Sequence, residues 1–250
     1  NRVYRYDYYR DNCSTRVRDA IDRALGGQLS AATTDMASGT TYRAHTRRLT
    51  AADPVFYAGL MLGLGQPVDR EISVWEEMFL PMELRDWIGE IMIPGPDGQP
   101  VPLVLNEREV FASSQQVEMY VPPSRVPLLV IIGAMLGGLL MTTARAAPRS
   151  TPARVTFSTL VSVYALLAGT LGLVLAGLWG FTEHVTSYQN ENLFFVNPLL
   201  LPLSVLLPLA VRGSFTVRRM ALAFAGVVGA LSILGFALQA LPSFDQVNGE

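Results

Sequence analysis

Residues 157–181 read FSTLVSVYALLAGTLGLVLAGLWGF, and none of these side chains is charged. The run exceeds the roughly 20 apolar residues with which a helix crosses a hydrocarbon core ~30 Å thick. Three further uncharged stretches, residues 126–143, 194–211 and 220–241, follow the same pattern. Buried helices of a soluble protein are the alternative, but four such runs in one half of a chain favour a membrane. The sequence therefore predicts an all-α polytopic membrane domain of four helices in residues 125–250.

The third of these stretches is the least regular. It contains Pro198, Pro202 and Pro208, and proline removes a backbone donor from a helix. We expect this span to be kinked or partly broken, which is tolerated where neighbouring helices satisfy the freed backbone groups. The other three stretches are rich in glycine, which favours close packing of helices in lipid. The glycines concerned are Gly133, Gly137, Gly138, Gly169, Gly172, Gly177, Gly226 and Gly229.

The charges between the spans predict the orientation. Cytoplasmic loops of membrane proteins carry an excess of basic residues. The loops after the first and third spans contain Arg145, Arg149, Arg154, Arg212, Arg218 and Arg219, whereas the second loop and the tail contain Glu183, His184, Glu191, Asp245 and Glu250. This alternation predicts a multi-pass protein of the bacterial cytoplasmic (inner) membrane. Residues 1–124, the second loop and the C-terminus are expected to face the periplasm or the exterior.

Residues 1–124 carry dense, mixed charges and predict a soluble, exported α+β domain. The net charge of the whole chain is −2, so there is no basic excess of the kind that binds nucleic acid. The chain begins at Asn1 without a signal peptide, and we expect part of the exported domain to precede it. No glycine-rich phosphate loop and no cluster of metal ligands is visible in the sequence. No cofactor and no metal ion are therefore expected.

A helix is predicted directly after Asn12, because this residue is a natural N-cap and Gly26–Gly27 form a stop signal. Cys13, the single cysteine, then lies in the first turn. Backbone N–H groups and the helix dipole favour a thiolate there, and Arg16 would add to that effect. Cysteine acyl-transfer enzymes place their nucleophile at such a position. The alternative is an incidental thiol without a chemical role.

The rest of this half gives weaker signals. Residues 28–41 are polar and small, which predicts a loop. Residues 54–65 and 75–91 have helical patterns, the second interrupted by proline. Residues 101–104 and 108–111 are interpreted as a short hairpin that follows a Pro- and Gly-rich turn.

A cysteine nucleophile requires a base, and the chain offers His45 and His184. His45 lies in a basic segment and is interpreted as a surface or core-edge residue. His184 lies in the loop after the second span, on the same predicted face of the membrane as Cys13. That loop, with its asparagines, is either an ordinary polar interfacial loop or a binding site for lipid headgroups and carbonyl groups.

Several short motifs follow one another along the chain. They are residues 6–19 around Asn12-Cys13-Ser14-Thr15-Arg16, Thr41-Tyr42-Arg43, Leu62-Gly63-Leu64-Gly65 with Asp69, Phe79-Leu80-Pro81, and His184 followed by Asn190-Glu191-Asn192-Leu193 and Asn197-Pro198-Leu199. In their order they resemble the Lnb-type lipoprotein N-acyltransferases. The exported domain of this family is similar to permuted NlpC/P60 (papain-like) cysteine enzymes. In those enzymes an Asn-Cys pair opens a helix and the catalytic histidine lies upstream of it. Cys13 matches the nucleophile, whereas the upstream histidine has no counterpart here.

The resemblance implies a membrane-bound acyltransferase with a phospholipid as acyl donor and a lipoprotein as acceptor. Cys13 would form a thioacyl-enzyme, which the N-terminal amine of the lipoprotein would attack. The base would be an upstream histidine or, as a second choice, His184. The residues expected to bind substrate are Asn12, Arg16, Arg43, Asn190, Asn192 and Asn197. Among them, Asn192 is the preferred polar anchor.

Two other functions remain open on the sequence alone. One is a membrane-tethered NlpC/P60-like amidase or peptidase of the cell wall, although four spans are more than a tether needs. The other is a non-enzymatic protein of envelope assembly whose cysteine is inert. Release of peptidoglycan fragments, or indifference of the cell to Cys13→Ala, would distinguish them from the acyltransferase.

Overall fold

The computed structural model describes residues 3–111, 121–211, 213, 215–244 and 246–247. The basic residue Arg212 and the acidic residues Asp245 and Glu250, which entered the orientation prediction, lie outside these residues. The chain forms two compact units. The first comprises Asn1–Leu49 and Arg70–Tyr120, and the second comprises Thr50–Asp69 and Val121–Glu250.

Most of the described chain is helical. The α-helices are α1 (Cys13–Ala24), α2 (Gln28–Thr33), α3 (Tyr42–Thr50), α4 (Pro54–Gly63), α5 (Val74–Glu77), α6 (Pro81–Glu90), α7 (Val126–Ala146), α8 (Thr151–Phe181), α9 (Leu200–Ala210) and α10 (Phe215–Leu238). The strands are β1 (Ala37–Thr41), β2 (Glu71–Ser73), β3 (Met92–Pro94) and β4 (Pro100–Pro102). They form two antiparallel two-stranded sheets, β1 with β2 and β3 with β4.

The first unit has a small apolar core. Leu29, Val74, Met78 and Leu84 are buried in it, together with Ile91 at the end of α6. These residues come from α2, α5 and α6, so the core joins the segment after α1 to the pair of short helices. The helix predicted after Asn12 is confirmed, and it runs to Ala24 before two glycines with positive φ.

Two predictions for this unit were wrong. Residues 28–41 are not a loop, because Leu29 and Thr33 lie buried on α2 and β1 pairs with β2. The long-range partner of β1 could not be read from a local pattern of small polar residues. The hairpin lies earlier than predicted, since Met92 pairs with Pro102 and Pro94 with Pro100, whereas residues 108–111 are not a strand.

The second unit contains, within the described residues, three helices long and apolar enough to cross a membrane: α7, α8 and α10. At 1.5 Å per residue, the 21 residues of α7 cover about 31 Å. None of the side chains of α7 is buried in the unit, and its leucines and isoleucines are exposed. An apolar helix exposed on all sides is typical of a lipid environment.

The predicted third span differs from the other three. Its helical part, α9, has 11 residues and contains Pro208, so it falls short of spanning length. The α-helix begins only at Leu200, after Asn197 and Pro198, because proline disfavours helix in the residue before it. The number of full-length spans among the described residues is therefore three rather than the predicted four.

The segment Thr50–Asp69 belongs to the second unit, although it lies within the predicted soluble half. Its helix α4 begins at the N-cap Asp53, whose carboxylate accepts from Val55 N and Phe56 N. The guanidinium of Arg125, just before α7, donates to Ala51 O at 2.6 Å and lies over the ring of Tyr57. This segment is thus fastened to the start of the first spanning helix.

Candidate functional site

Cys13 is the first residue of α1 and is exposed. Asn12 caps the helix: its Oδ1 accepts from Thr15 N at 2.9 Å, and Thr15 Oγ1 accepts from Asn12 N at 2.8 Å. This reciprocal arrangement satisfies two backbone donors at the helix start. Cys13 is thus presented to solvent at the positive end of the helix dipole, where negative charge is stabilised.

Both neighbours of Cys13 are fixed to a second segment of the same unit. Asn12 Nδ2 donates to Phe79 O at 3.0 Å, and Ser14 Oγ donates to Met78 O at 2.8 Å. Asn12 and Ser14 are buried, whereas the cysteine between them is not. Two consecutive carbonyl groups after α5 therefore hold the first turn of α1 and leave the thiol exposed.

The two arginines predicted to bind substrate have different surroundings. Arg16 is exposed; it forms an ion pair with Asp11 (Nε to Oδ1, 2.6 Å) and lies over the ring of Tyr4 at 4.2 Å. Arg43 is 1% exposed and lies inside the unit, away from any headgroup in solvent. Its substrate-binding role stays a prediction that would require the unit to open.

His45 is buried rather than on the surface, and it belongs to a network of charged side chains. Its Nε2 lies 2.9 Å from Glu77 Oε1, and its Nδ1 lies 3.1 Å from Arg48 Nη2. Because a guanidinium only donates hydrogen bonds, Nδ1 accepts and Nε2 donates. Glu77 also accepts from Trp87 Nε1 at 2.8 Å, and Arg48 donates to Glu83 Oε1 at 2.7 Å.

This network is the part of the unit that sequence reasoning missed. The one local signal was the spacing of His45 and Arg48, which places both on one face of α3. Ligand atoms of His45, Glu77 and Glu83 lie within 4.8 Å of one another, as a cation site would require. Arg48 already provides a positive charge among them, so these residues fit an ion-paired network better than a metal site.

Two tyrosines beside this network have strongly raised pKa values. Burial raises the pKa of Tyr9 to about 12, although the hydrogen bond between its hydroxyl and that of Thr46 opposes the shift. Burial, together with the charge of Glu76, raises the pKa of Tyr42 to about 12. The two rings lie 4.5 Å apart and both pack edge-on against Phe79. This aromatic group supports the carbonyl of Phe79 that holds Asn12.

In the second unit, the loop after α8 carries the other predicted residues. His184 is exposed at its start. Asn190 is 2% exposed, and its Nδ2 donates to Leu62 O at 2.8 Å. Asn192 Nδ2 donates to the same carbonyl at 3.1 Å. The two asparagines thus satisfy the C-terminal carbonyl groups of α4, which a helix end leaves without partners.

Asn197 differs from these two asparagines. Its Oδ1 accepts from Leu199 N at 3.2 Å and so starts the turn into α9. Its Nδ2 is buried and has no hydrogen-bond partner among the described residues. An unsatisfied buried donor costs about 1–3 kcal/mol. Asn197 therefore offers a hydrogen-bond donor between the apolar helices of the second unit.

Three glycines allow the loop after α8 to pack closely against its neighbours. A Cβ atom on Gly172 of α8 would lie 2.4 Å from Asn197 Cα, and one on Gly65 would lie 1.9 Å from Tyr188 O. A Cβ on Gly235 of α10 would lie 2.4 Å from Phe194 Cβ. The loop thus rests against backbone on three sides, and any larger residue at these glycines would displace it.

The predicted site residues fall into two groups. Asn12, Cys13, Arg16 and Arg43 lie in the first unit; His184, Asn190, Asn192 and Asn197 lie in the second. Each group is held by its own contacts. The chain is thus a multi-pass membrane protein that carries a small α+β unit with an exposed cysteine at a helix start.

The membrane-spanning part of the chain matches a known protein family. Residues 123–243 match the family model described as the Lnb transmembrane domain. This match supports membership of the Lnb-type family, which the motifs of the sequence predicted. No curated protein and no solved structure matches the chain.

Proposed function

We propose that this protein is a membrane-bound cysteine acyltransferase that transfers an acyl chain from a phospholipid to the N-terminal amine of a lipoprotein. The observation that carries the proposal is the exposed Cys13 at the capped start of α1, in a chain that has an Lnb transmembrane domain. In this proposal the first unit is part of a papain-like domain on the outer face of the cytoplasmic membrane.

The first half-reaction begins with the thiolate of Cys13. It attacks the carbonyl carbon of a glycerolipid ester, and the resulting oxyanion collapses as the ester C–O bond breaks. The leaving alkoxide takes up a proton and departs as a lysophospholipid, while the acyl group stays on sulfur as a thioester.

The second half-reaction uses the neutral α-amine of the acceptor. The amine attacks the thioester, a C–N bond forms, and the C–S bond breaks to return the thiolate. The nitrogen loses one proton to a base, which leaves an amide. Two half-reactions at one nucleophile predict ping-pong kinetics. The base is a histidine upstream of Cys13 or, as a second choice, the exposed His184.

Asn197 is the polar residue that we assign to the acyl donor. Its buried Nδ2 donor lacks a partner among the described residues, and a lipid ester carbonyl would supply an acceptor between apolar helices. Asn190 and Asn192 act differently in this proposal, because their amides are engaged with α4. They fix the loop that carries Asn197, and His184 lies at its other end.

The test is acyl transfer by the full protein in vesicles that contain a radiolabelled phospholipid and a diacylglyceryl lipopeptide. Cys13→Ser should reduce transfer by at least about 10³-fold, a loss of ~4 kcal/mol in transition-state stabilisation. Val17→Ala, an exposed neighbour on the same helix, is the matched control and should transfer normally. Unimpaired transfer in Cys13→Ser would refute the proposal, as would release of peptidoglycan fragments in place of lipid transfer.

A further inference from the structure

The second unit contains a cavity of about 610 Å³ at one end of its membrane helices. Its walls come from the last turn of α8, the loop segment that follows, α10 and the residues after α10. The lining residues are Gln66, Trp179, Gln189, Asn190, Glu191, Leu193, Phe194, Leu231, Ser243 and Phe244. The volume lies within the range of pockets that bind small organic ligands.

The depth of the cavity follows from two of its walls. Trp179 lies two residues before the end of α8, and Leu231 lies seven residues before the end of α10. At 1.5 Å per residue, Leu231 is about 10 Å below the end of its helix. Tryptophan close to a helix end is typical of the membrane–water interface. The cavity therefore extends from the level of the interface into the hydrocarbon layer.

The lining of the cavity has an apolar part and a polar part. Trp179, Leu193, Phe194, Leu231 and Phe244 provide aromatic and aliphatic surface, which favours burial of an alkyl chain. The polar lining is engaged within the unit: Gln66 Nε2 donates to Ser243 O at 2.8 Å, and Asn190 Nδ2 donates to Leu62 O at 2.8 Å.

The charges of the lining residues limit which lipid headgroups the cavity can accept. Among the described residues that line the cavity there is no arginine or histidine, and Glu191 is the charged one. Proteins that hold an anionic phosphate use cationic side chains, and the described lining residues provide none. Two hydrogen bonds stabilise this wall of the cavity. Glu191 N donates to Gln246 Oε1 at 2.8 Å, and Gln246 N donates to Glu191 Oε1 at 3.2 Å.

One backbone feature at the cavity supports a binding role. Gln189 has φ +50°, and among the described residues it is the one non-glycine residue with a positive φ. Such a conformation is disfavoured for a residue with a side chain, and it is found preferentially at functional sites.

We propose that this cavity holds one acyl chain of a glycerolipid whose headgroup has no net negative charge. The inference deepens the proposed function, because this lipid would be the acyl donor, and it adds a selection against anionic lipids. Its binding step does not need Cys13, so the two proposals are tested separately.

The experiment uses the full protein in phosphatidylcholine nanodiscs with a trace of phospholipid that has a photoactivatable group in its acyl chain. After irradiation, peptides are analysed by mass spectrometry. With a phosphatidylethanolamine tracer, labelling should concentrate on Trp179, residues 189–194 and Leu231. With a phosphatidylglycerol tracer of the same chain, labelling there should be about tenfold weaker, which corresponds to ~1.4 kcal/mol.

Leu231→Trp fills the cavity and should reduce this labelling about tenfold, again ~1.4 kcal/mol. The matched control is Ile233→Trp on the same helix, whose side chain is 74% exposed; its labelling should equal that of the unmodified protein. Leu231→Phe is a milder variant for the case that the tryptophan prevents folding. Equal labelling in the cavity-filling and control variants would mean lipid at the protein surface only and would overturn the proposal. Equal labelling by the two tracers would overturn the selection against anionic lipids.

Cys13→Ala should leave the labelling unchanged while acyl transfer is lost. If the unmodified protein were labelled at the cavity but transferred no acyl chain, the proposed function would be contradicted and the lipid site would stand. Transfer that depends on Cys13, in a protein that shows no labelling at the cavity, would contradict the lipid site alone.

Discussion

Asn12 is the residue on which the position of Cys13 depends. Its side chain caps α1 through Thr15 N and reaches Phe79 O across the unit. The capping role could be predicted from the sequence, because asparagine before a helical pattern is a common N-cap. The bond to Phe79 could not, since nothing local relates residues that are 67 positions apart.

Asn12→Ala should lower the free energy of unfolding of the first unit by about 2 kcal/mol, because a cap is lost and a buried carbonyl loses its donor. It should also slow alkylation of Cys13 by an uncharged reagent. Ser73→Ala removes the N-cap of α5 and is the matched control for the loss of a cap alone. If both variants were equally destabilised and equally reactive at Cys13, Asn12 would have no positioning role.

Tyr9 and Tyr42 make stability depend on alkaline pH. The pKa of each rises from an ordinary 10 to about 12 in the folded protein, so between these values the unfolded state binds fewer protons than the folded state. Stability is therefore fully present below pH 10 and falls as the pH rises towards 12. Tyrosinate absorbance at 295 nm and far-UV circular dichroism, followed together, check this prediction. In Tyr9→Phe the part of the absorbance change near pH 12 should shrink. A single tyrosine transition centred on pH 10 in the unmodified protein would contradict the prediction.

At the scale of elements, the glycines of the membrane helices separate into two kinds. A Cβ on Gly172 would meet the backbone of Asn197, whereas one on Gly177 of the same helix would meet nothing within 4 Å. The sequence pattern predicted close packing at both, because it reports composition and not neighbours. Only the long-range docking of the loop distinguishes them.

Gly172→Ala should lower the free energy of unfolding of the second unit by about 1–3 kcal/mol, the usual range for overpacking. Gly177→Ala should be neutral or slightly stabilising, since alanine is the better helix former by about 1 kcal/mol. The stability of both variants is measured by thermal unfolding in nanodiscs, which is monitored through the protection of a buried site from chemical labelling. Equal stability of the two variants would contradict the close contact at Asn197.

The helix α4 shows why some elements could be predicted and others could not. Its existence followed from an apolar run that begins after Asp53, a local signal. Its place in the second unit depends on Asn190 and Asn192, which lie more than 120 residues further along the chain. The same restriction to local signals applies to α9. Its prolines predicted an irregular helix, but they did not predict how long the remaining helix would be.

For the molecule as a whole, the order of charges and spans predicts the sidedness of the membrane unit. Thr182 follows α8 and Arg149 precedes it, so single cysteines at these positions should lie on opposite faces. In a Cys13→Ala background, a membrane-impermeant maleimide added to intact cells should label Thr182→Cys and not Arg149→Cys. Permeabilised cells are the control and should label both. Labelling of Arg149→Cys in intact cells would contradict the orientation.

If Cys13 carries the acyl chain, a thioacyl-enzyme should accumulate when no acceptor is present. The full protein is incubated with phospholipid in the absence of acceptor and its peptides are analysed by mass spectrometry, with neutral hydroxylamine as the reagent that cleaves thioesters. We expect one acyl chain on the peptide that contains Cys13, which is removed by hydroxylamine and is transferred to a lipopeptide added afterwards. An unmodified Cys13 in a preparation that still acylates the lipopeptide would contradict this expectation.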